Sequence, residues 1–358
     1  MTLSLVEEAI QKAEEMKINL EELKAGKANI AVIGLGGAGG NAINWLYNKG
    51  VRGASVFAAN TDALHLNTIN ADEKILLGKD LCRGLGAGGK PEVGREAAKE
   101  SAAELKKLLS GRDMVFVVAG EGGGTGTGSA PVAAQIAKDA GAIVIGVVTM
   151  PFNAEKVRIE KAEFGLQELR EYCDTVIVID NNKLVEVAGD LPLDQAFGVA
   201  NEIIATMIKG IVEIITVPSL VNIDFADIAA IMKKGEVAVI GIGESDTQSR
   251  VEEAVRQALN HPLLEVDYKG GKGAIIHITC GPDYKMEELN KTTSLVAEHL
   301  APDANVIFGV RVDESFKNKV RVITIVTGVK SPYILGKTSE AAEQKVEMSE
   351  ELGIEILR

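Results

Sequence analysis

From Asn29 onward, short runs of β-branched and other apolar residues alternate with longer stretches whose apolar positions recur at helical spacing. The runs AVIG, SVFAAN, MVFVVAG, AIVIGVVT and TVIVID are each apolar on both faces. Between them, 41–49, 62–70, 131–140 and 155–172 carry the helical pattern. Strands apolar on both faces and separated by helices predict a mostly parallel, doubly wound α/β sheet of the Rossmann type. On such sheets ligands are held at the carboxyl ends of the strands.

Residues 195–215 (QAFGVANEIIATMIKGIVEII) are apolar around most of their circumference, which predicts a helix buried between two layers rather than lying on one surface. Beyond it, EVAVIGIGES, GAIIHITCG, ANVIFGVRVD and VRVITIVTGV alternate with helical segments and predict a smaller α+β domain. Leu3, Val6, Ile10, Ala13 and Leu20 lie at helical spacing within 3–24 and predict one amphipathic helix. The expected organisation is an N-terminal extension (1–27), a nucleotide domain (28–194), a central helix (195–218), a C-terminal domain (219–330) and a polar tail (331–358) closing on LGIEILR.

Composition fits this plan. Of 358 residues 46% are hydrophobic, ample for two cores, while only 4% are aromatic, so the cores are built from aliphatic side chains. The formal net charge of -13 argues against a surface that neutralises nucleic-acid phosphates, and nucleic acid is not expected as a partner. Cys82, Cys173 and Cys280 are widely spaced and predict neither disulfides nor a zinc site. Neither a leader peptide nor a membrane-spanning run is read from the chain, which predicts a cytoplasmic protein with no direct membrane insertion.

Two glycine-rich turns carry the chemistry. Gly34-Leu-Gly36-Gly-Ala-Gly39 follows a strand and opens a helix, so backbone N–H groups can approach a phosphate while the helix dipole favours its charge. Taken alone it also satisfies the dinucleotide fingerprint, with Asp62, about twenty residues on, as a ribose acid. A tight strand–helix turn is the plain structural alternative. The second run, Gly122 to Gly128, holds five glycines and two threonines after the strand MVFVVAG, a concave row of donors, with Pro131 then expected to begin a helix. No Gly-Lys-Ser or Gly-Lys-Thr accompanies it, so it is not a Walker A loop.

GLGGAGGNA, NTDAL, GLGAGGKPEVGR, GGGTGTGSAP, TMPFN, AFGVAN and NIDFAD together resemble, in order, the loops of the tubulin/FtsZ GTPase family, most closely an archaeal FtsZ of the second paralogue group. The resemblance runs from about Asn29 to Lys330. It implies GTP and GDP as ligands, with Gly36, Gly37, Ala38, Gly39, Gly40 and Asn41 around the α and β phosphates. Gly123, Gly124, Thr125, Gly126 and Thr127 would cradle the β and γ phosphates. Asn60, Thr61 and Asp62 would approach the γ-phosphate and magnesium, and Gly86, Ala87, Gly88 and Gly89 would sense the γ-phosphate. Mg2+ would be held through the nucleotide and water, with no protein metal site.

The same resemblance gives guanine to Asn181 and Asn201, whose amides offer donor and acceptor, with Phe197 stacking on the ring. Read without it, Phe197 is a core residue of a buried helix. Glu155 and Arg158 correspond to the pair that contacts ribose and phosphate, although the spacing after Pro151-Phe152 is one residue short. Glu121 stands where Met is usual and Asp180 where Pro is usual.

Asn222-Ile-Asp224-Phe-Ala-Asp227 follows the central helix. Spacing i, i+3 at a helix start puts both carboxylates on one face, where the plain reading is a helix cap with an acidic first turn. The resemblance implies instead that Asp224 and Asp227, with Asn222, enter the nucleotide site of the next subunit and activate water there. It further implies a head-to-tail homopolymer at the division site, GTPase activity that depends on assembly, and a tail open to a paralogue or a membrane-anchoring adaptor. Two rivals stand beside this: a NAD-dependent oxidoreductase, and a tubulin-like scaffold with little hydrolysis.

Overall fold

Ile30–Leu35 (β1) is buried along its whole length and forms the centre of a six-stranded sheet in the computed structural model, which describes residues 28–232, 238–260 and 271–329. The other strands are Ala54–Asn60 (β2), Glu73–Leu76 (β3), Met114–Gly120 (β4), Ile143–Met150 (β5) and Thr175–Asp180 (β6). Their order is β3-β2-β1-β4-β5-β6 and every neighbouring pair is parallel. The sheet therefore reverses its winding between β1 and β4, the crevice where doubly wound folds bind ligands. The two glycine-rich turns leave the sheet there, side by side.

Helices cover both faces. Gly36–Lys49 (α1) follows β1, Ala63–Thr68 (α2) follows β2, and Pro91–Glu100 (α3) and Ala102–Leu109 (α4) precede β4. Thr125–Asp139 (α5), Val157–Tyr172 (α6) and Asn181–Ala188 (α7) complete this half. The expected helix start at Pro131 is corrected: α5 begins six residues earlier at Thr125, and Pro131 sits inside it. Its missing N–H leaves the carbonyl of Thr127 without that donor, and the run of small residues before it gives the pyrrolidine room. The second half of the glycine run is thus the first turn of a helix, not a loop leading to one.

Leu193–Thr216 (α8) crosses the molecule. Its Ile204, Met207, Ile208, Ile211 and Val212 are buried between Ile43 and Leu46 of α1 on one side and Ile240, Ile275, Ile323 and Ile325 of a second sheet on the other. Contact on both sides explains why the sequence is apolar all round. The second sheet comprises Ala238–Ser245 (β7), Gly271–Cys280 (β8), Leu300–Val312 (β9) and Val320–Thr327 (β10) in the order β7-β10-β8-β9. β10 is antiparallel to both β7 and β8, while β8 and β9 are parallel. Phe225–Met232 (α9) enters this half, and Arg250–Leu259 (α10) and Met286–Ala297 (α11) cover the outer face of its sheet.

The expected amphipathic helix at 3–24 and the tail from 331 lie outside the described residues. Among the described residues no helix is long and apolar enough to cross a membrane.

Candidate functional site

α1 and α5 start next to one another, and neither has a side-chain cap or an acidic residue in its first turn. Their leading N–H groups are left for an external acceptor, and both dipoles favour an anion at the shared crevice. The glycines here stand in three distinct settings. Gly36, at φ +72, faces Gly126, whose amide nitrogen would lie 2.8 Å from a Cβ on Gly36. Gly39 packs on β4, where a Cβ would lie 2.2 Å from the Val118 carbonyl oxygen. Gly37 and Gly123 differ from both: a Cβ on either would meet nothing within 4 Å and would project into open space.

That space is a cleft of about 450 Å³ whose lining includes Gly37, Ala38, Gly123, Gly124, Thr125 and Gly126 at its floor. Its wall brings in Glu155 from the short 3-10 turn Asn153–Glu155 and Arg158 from the start of α6, together with Asn181 and Phe197. Arg158 donates to Glu155 at 2.6 Å, and Glu155 in turn accepts from the Phe152 N–H at 3.0 Å, so the pair is held in place despite the shortened spacing. Phe152 meets Phe197 edge to face at 6.1 Å, leaving the Phe197 ring 39% exposed at the cleft mouth rather than buried as core. Thr149, Pro151 and Phe152 also line the cleft; their signal was the TMPFN segment, read only as a motif.

Not every expected residue presents its side chain to this cleft. Gly40 faces the His65 ring across α1, and Asn41 is bonded at 3.0 Å to His65 Nε2. His65 joins Asn41 to Asn60, whose Nδ2 lies 3.2 Å from Nδ1 of the ring. This linking role is marked in the sequence only by a histidine one turn into a short helix. Asp62 caps α2 by accepting from the N–H groups of Leu64 and His65. Asn201 is half-buried on α8, one turn after Phe197, and does not line the cleft.

Thr127 turns its side chain beneath the floor, against Gly165 of α6 and Glu121; its hydroxyl is buried without a hydrogen-bond partner and does not face the cleft. Helical periodicity forces this, since α5 already begins at Thr125. Glu121 is the other surprise. Its carboxyl, 6% exposed, also has no partner at hydrogen-bond geometry; burial pushes its pKa up to about 8, opposed by the nearby Thr127 hydroxyl and reinforced by Glu168. At neutral pH the glycine floor of the cleft therefore rests on an uncharged carboxylic acid.

The loop holding Ala87 and Gly88 touches the floor from the other side. A Cβ on Gly124 would lie 2.9 Å from Cβ of Ala87, and the Gly89 carbonyl accepts from Lys161 Nζ at 2.8 Å. The Thr61 and Thr125 hydroxyls are hydrogen-bonded at 2.6 Å. Any shift of the floor is therefore felt by β2, α3 and α6 together.

Asp224 and Asp227 are elsewhere. α8 rises about 30 Å between Phe197 and Thr216, and Thr216 Oγ1 donates to the Arg52 carbonyl, before the start of β2. α9 ends against the beginning of β6, where Thr175 Oγ1 donates to the Met232 carbonyl at 3.1 Å. These are the amino ends of strands whose carboxyl ends carry the cleft. Asp224 is exposed and accepts from the Asp227 N–H at 2.8 Å, and Asn222 accepts from the Ser219 N–H at 2.7 Å. The Asp227 carboxylate is engaged by no other described residue.

Two uncapped helix starts at the switch point of a doubly wound sheet, joined by a long helix to a mixed sheet, define a nucleotide-binding protein of two coupled halves. Comparison with known proteins specifies which one. Residues 29–189 match the tubulin/FtsZ family GTPase domain and 236–330 the FtsZ family C-terminal domain. The chain is 52% identical over 341 residues to cell division protein FtsZ 2 of Methanocaldococcus jannaschii, covering 94% of this chain and 89% of that one. It is also 52% identical to cell division protein FtsZ 1 of Thermococcus kodakarensis, over 91% and 87%. Among solved structures, an empty M. jannaschii FtsZ dimer aligns with TM-score 0.81 at 49% identity, over 88% of this chain and 92% of that one. The GTPγS-bound protofilament of CetZ2 from Haloferax volcanii, at 21% identity and TM-score 0.74, shares the fold. The chain belongs to the tubulin/FtsZ GTPase family, and the dinucleotide oxidoreductase reading falls away.

Proposed function

We propose that this chain binds GTP in the cleft between α1 and α5 and hydrolyses it at a junction with a second copy, as a filament-forming protein of cell division. The observation that carries the reading is the separation of two half-sites. The cleft offers phosphate donors but no free carboxylate beside its floor, because Glu121 is protonated and Glu155 is paired with Arg158. Asp227, whose carboxylate has no partner among the described residues, and the exposed Asp224 stand at the opposite end of α8.

In this reading the free N–H groups of the first turn of α1, from Gly36 to Ala38, take the α and β phosphates with Gly39, Gly40 and Asn41 beside them, and those of Gly123 to Thr127 take the β and γ phosphates. Gly37 and Gly123 are glycine because phosphate oxygens occupy the space a Cβ would fill. Thr127 contributes through its backbone alone. Asn181 serves the guanine edge, with Asn201 behind it one turn after Phe197 on α8, Phe197 serves its face, and Glu155 with Arg158 the ribose. Asn60, Thr61 and Asp62 stand towards the γ-phosphate, and Ala87 and Gly88 report its presence to α3. Mg2+ carried on the phosphates would supply charge neutralisation. Asp224 and Asp227 of the next copy orient and deprotonate water, with Asn222 fixing the turn that presents them.

Such a contact is head-to-tail and does not close on itself, so it extends into a filament. Loss of the γ-phosphate then weakens the junction. Residues from 331 on are assigned to a paralogue or to an adaptor that brings the filament to the membrane at the division site. The test mixes two variants. Asp224→Ala is expected to bind GTP normally and lose turnover, Gly124→Ser to lose binding, and the mixture to regain part of the activity at hybrid junctions. Normal hydrolysis by Asp224→Ala alone would overturn the reading.

A further inference from the structure

A second cleft, of about 550 Å³, lies between α8 and the second sheet, away from the glycine floor. Its chemistry runs against the rest of the molecule. In a chain of net charge -13, it is lined by Lys49, Arg52, Lys209, Arg311 and Arg321, against only Glu213 and Asp313. The strand register explains the cluster. Arg321 of β10 and Arg311 of β9 are both paired with Thr279 of β8, so two guanidinium groups flank one threonine on the face turned towards α8.

Several of these cations are partly neutralised. Arg321 pairs with Glu244 at 2.6 Å, Arg311 with Asp313 at 3.2 Å, Lys49 with Glu202, and Lys209 and Arg311 each reach Glu213 at 3.7 Å. Arg52, exposed at the rim, is paired with no carboxylate among the described residues.

His277, two residues before Thr279 and on the same face, lines the same cleft. It is 5% exposed, and neither ring nitrogen has a hydrogen-bond partner. Buried polar groups in folded proteins are nearly always bonded, so an imidazole in the wall of this cleft with both nitrogens unpartnered indicates a missing partner beside it. Burial, with Arg311 close by, holds its pKa down to about 4, so at neutral pH the ring is uncharged and offers one N–H.

We propose that this cleft is a binding site for a small polyanion carrying two or more phosphoryl or carboxylate groups, held by Arg52, Lys209 and Arg311 with the His277 ring as an inner donor. The bound anion would span Arg52 at the end of the first half, Lys209 on the central helix and Arg311 on the second sheet. It would therefore clamp the two halves at the end opposite the nucleotide cleft, a linkage that binding energy alone can supply.

The test uses the full chain saturated with GDP in magnesium-free buffer at fixed ionic strength. Pyrophosphate and, separately, citrate are titrated by calorimetry, with GDP retention followed in the same samples. Both wild-type titrations are expected to saturate without releasing GDP, and to shift the His277 ring resonances. Arg52→Ala and Lys209→Ala are each expected to weaken binding at least tenfold while leaving GDP affinity unchanged. Citrate matching pyrophosphate indicates recognition by charge, and citrate binding at least tenfold more weakly indicates selection of phosphoryl groups; either result supports the site. Unmoved His277 resonances, GDP displacement by the anion, or equal affinity in both variants would overturn it.

Discussion

Gly94 of α3 stands against Gly124 at the floor of the cleft so closely that a Cβ on Gly94 would lie 2.2 Å from the Gly124 carbonyl oxygen and 3.1 Å from Cα of Thr125. The contact is backbone on backbone, so no side-chain rotation relieves it. In an exposed helix, replacing Gly by Ala stabilises by about 1 kcal/mol, but overpacking of this kind costs roughly 1–3 kcal/mol. Gly94→Ala is therefore expected to lower stability and, by displacing the floor, to weaken GDP binding. Denaturant unfolding and GDP titration of the same sample measure both. An unchanged GDP affinity would mean that α3 does not set the floor's position.

Gly37 and Gly123 provide the opposite case, since nothing in the protein occupies the space a Cβ would enter. Gly37→Ala and Gly123→Ala should leave the melting temperature within a few degrees of wild type yet weaken GTP binding at least tenfold. A variant that kept full affinity would show that phosphate does not approach that glycine.

The doubly wound sheet was legible because its strands are apolar on both faces, a pattern that survives without knowledge of their order. Glu73–Leu76 escaped notice because an edge strand of four residues, half of it exposed, carries too little pattern. The helix start at Thr125 was hidden by composition: glycine and threonine read as loop, and Pro131 as a first-turn residue, whereas Gly126 and Gly128 lie inside α5 and are glycine because the helix packs closely on Gly120 and Pro91. Thr127 could not be told apart from cleft-facing residues by spacing alone, and nothing in the spacing marks the Glu121 carboxyl as buried. Their burial beneath the floor depends on Gly165, which lies far along the chain and leaves room for both.

Glu121 makes stability depend on pH. The folded chain keeps its proton up to about pH 8, whereas an unperturbed glutamate releases it near 4.5. Between these values the unfolded chain binds fewer protons, so this group's contribution falls as pH rises, by up to about 1.4 kcal/mol per pH unit, and levels off above pH 8. Glu121→Met should remove that slope, matching wild type near pH 4.5 and exceeding it at pH 8. Unfolding curves of the two proteins across this range decide the matter; parallel pH profiles would show that the carboxyl is ionised in the folded chain.

In the proposed function half of the active site lies on each molecule, with the glycine floor at one end of α8 and Asp224 and Asp227 at the other. GTP hydrolysis per subunit, measured across a dilution series at saturating GTP and Mg2+, tests it most directly. Specific activity should fall steeply below the concentration at which junctions form, while GTP remains bound. A specific activity that stays constant on dilution, down to concentrations where only single chains remain, would contradict the account.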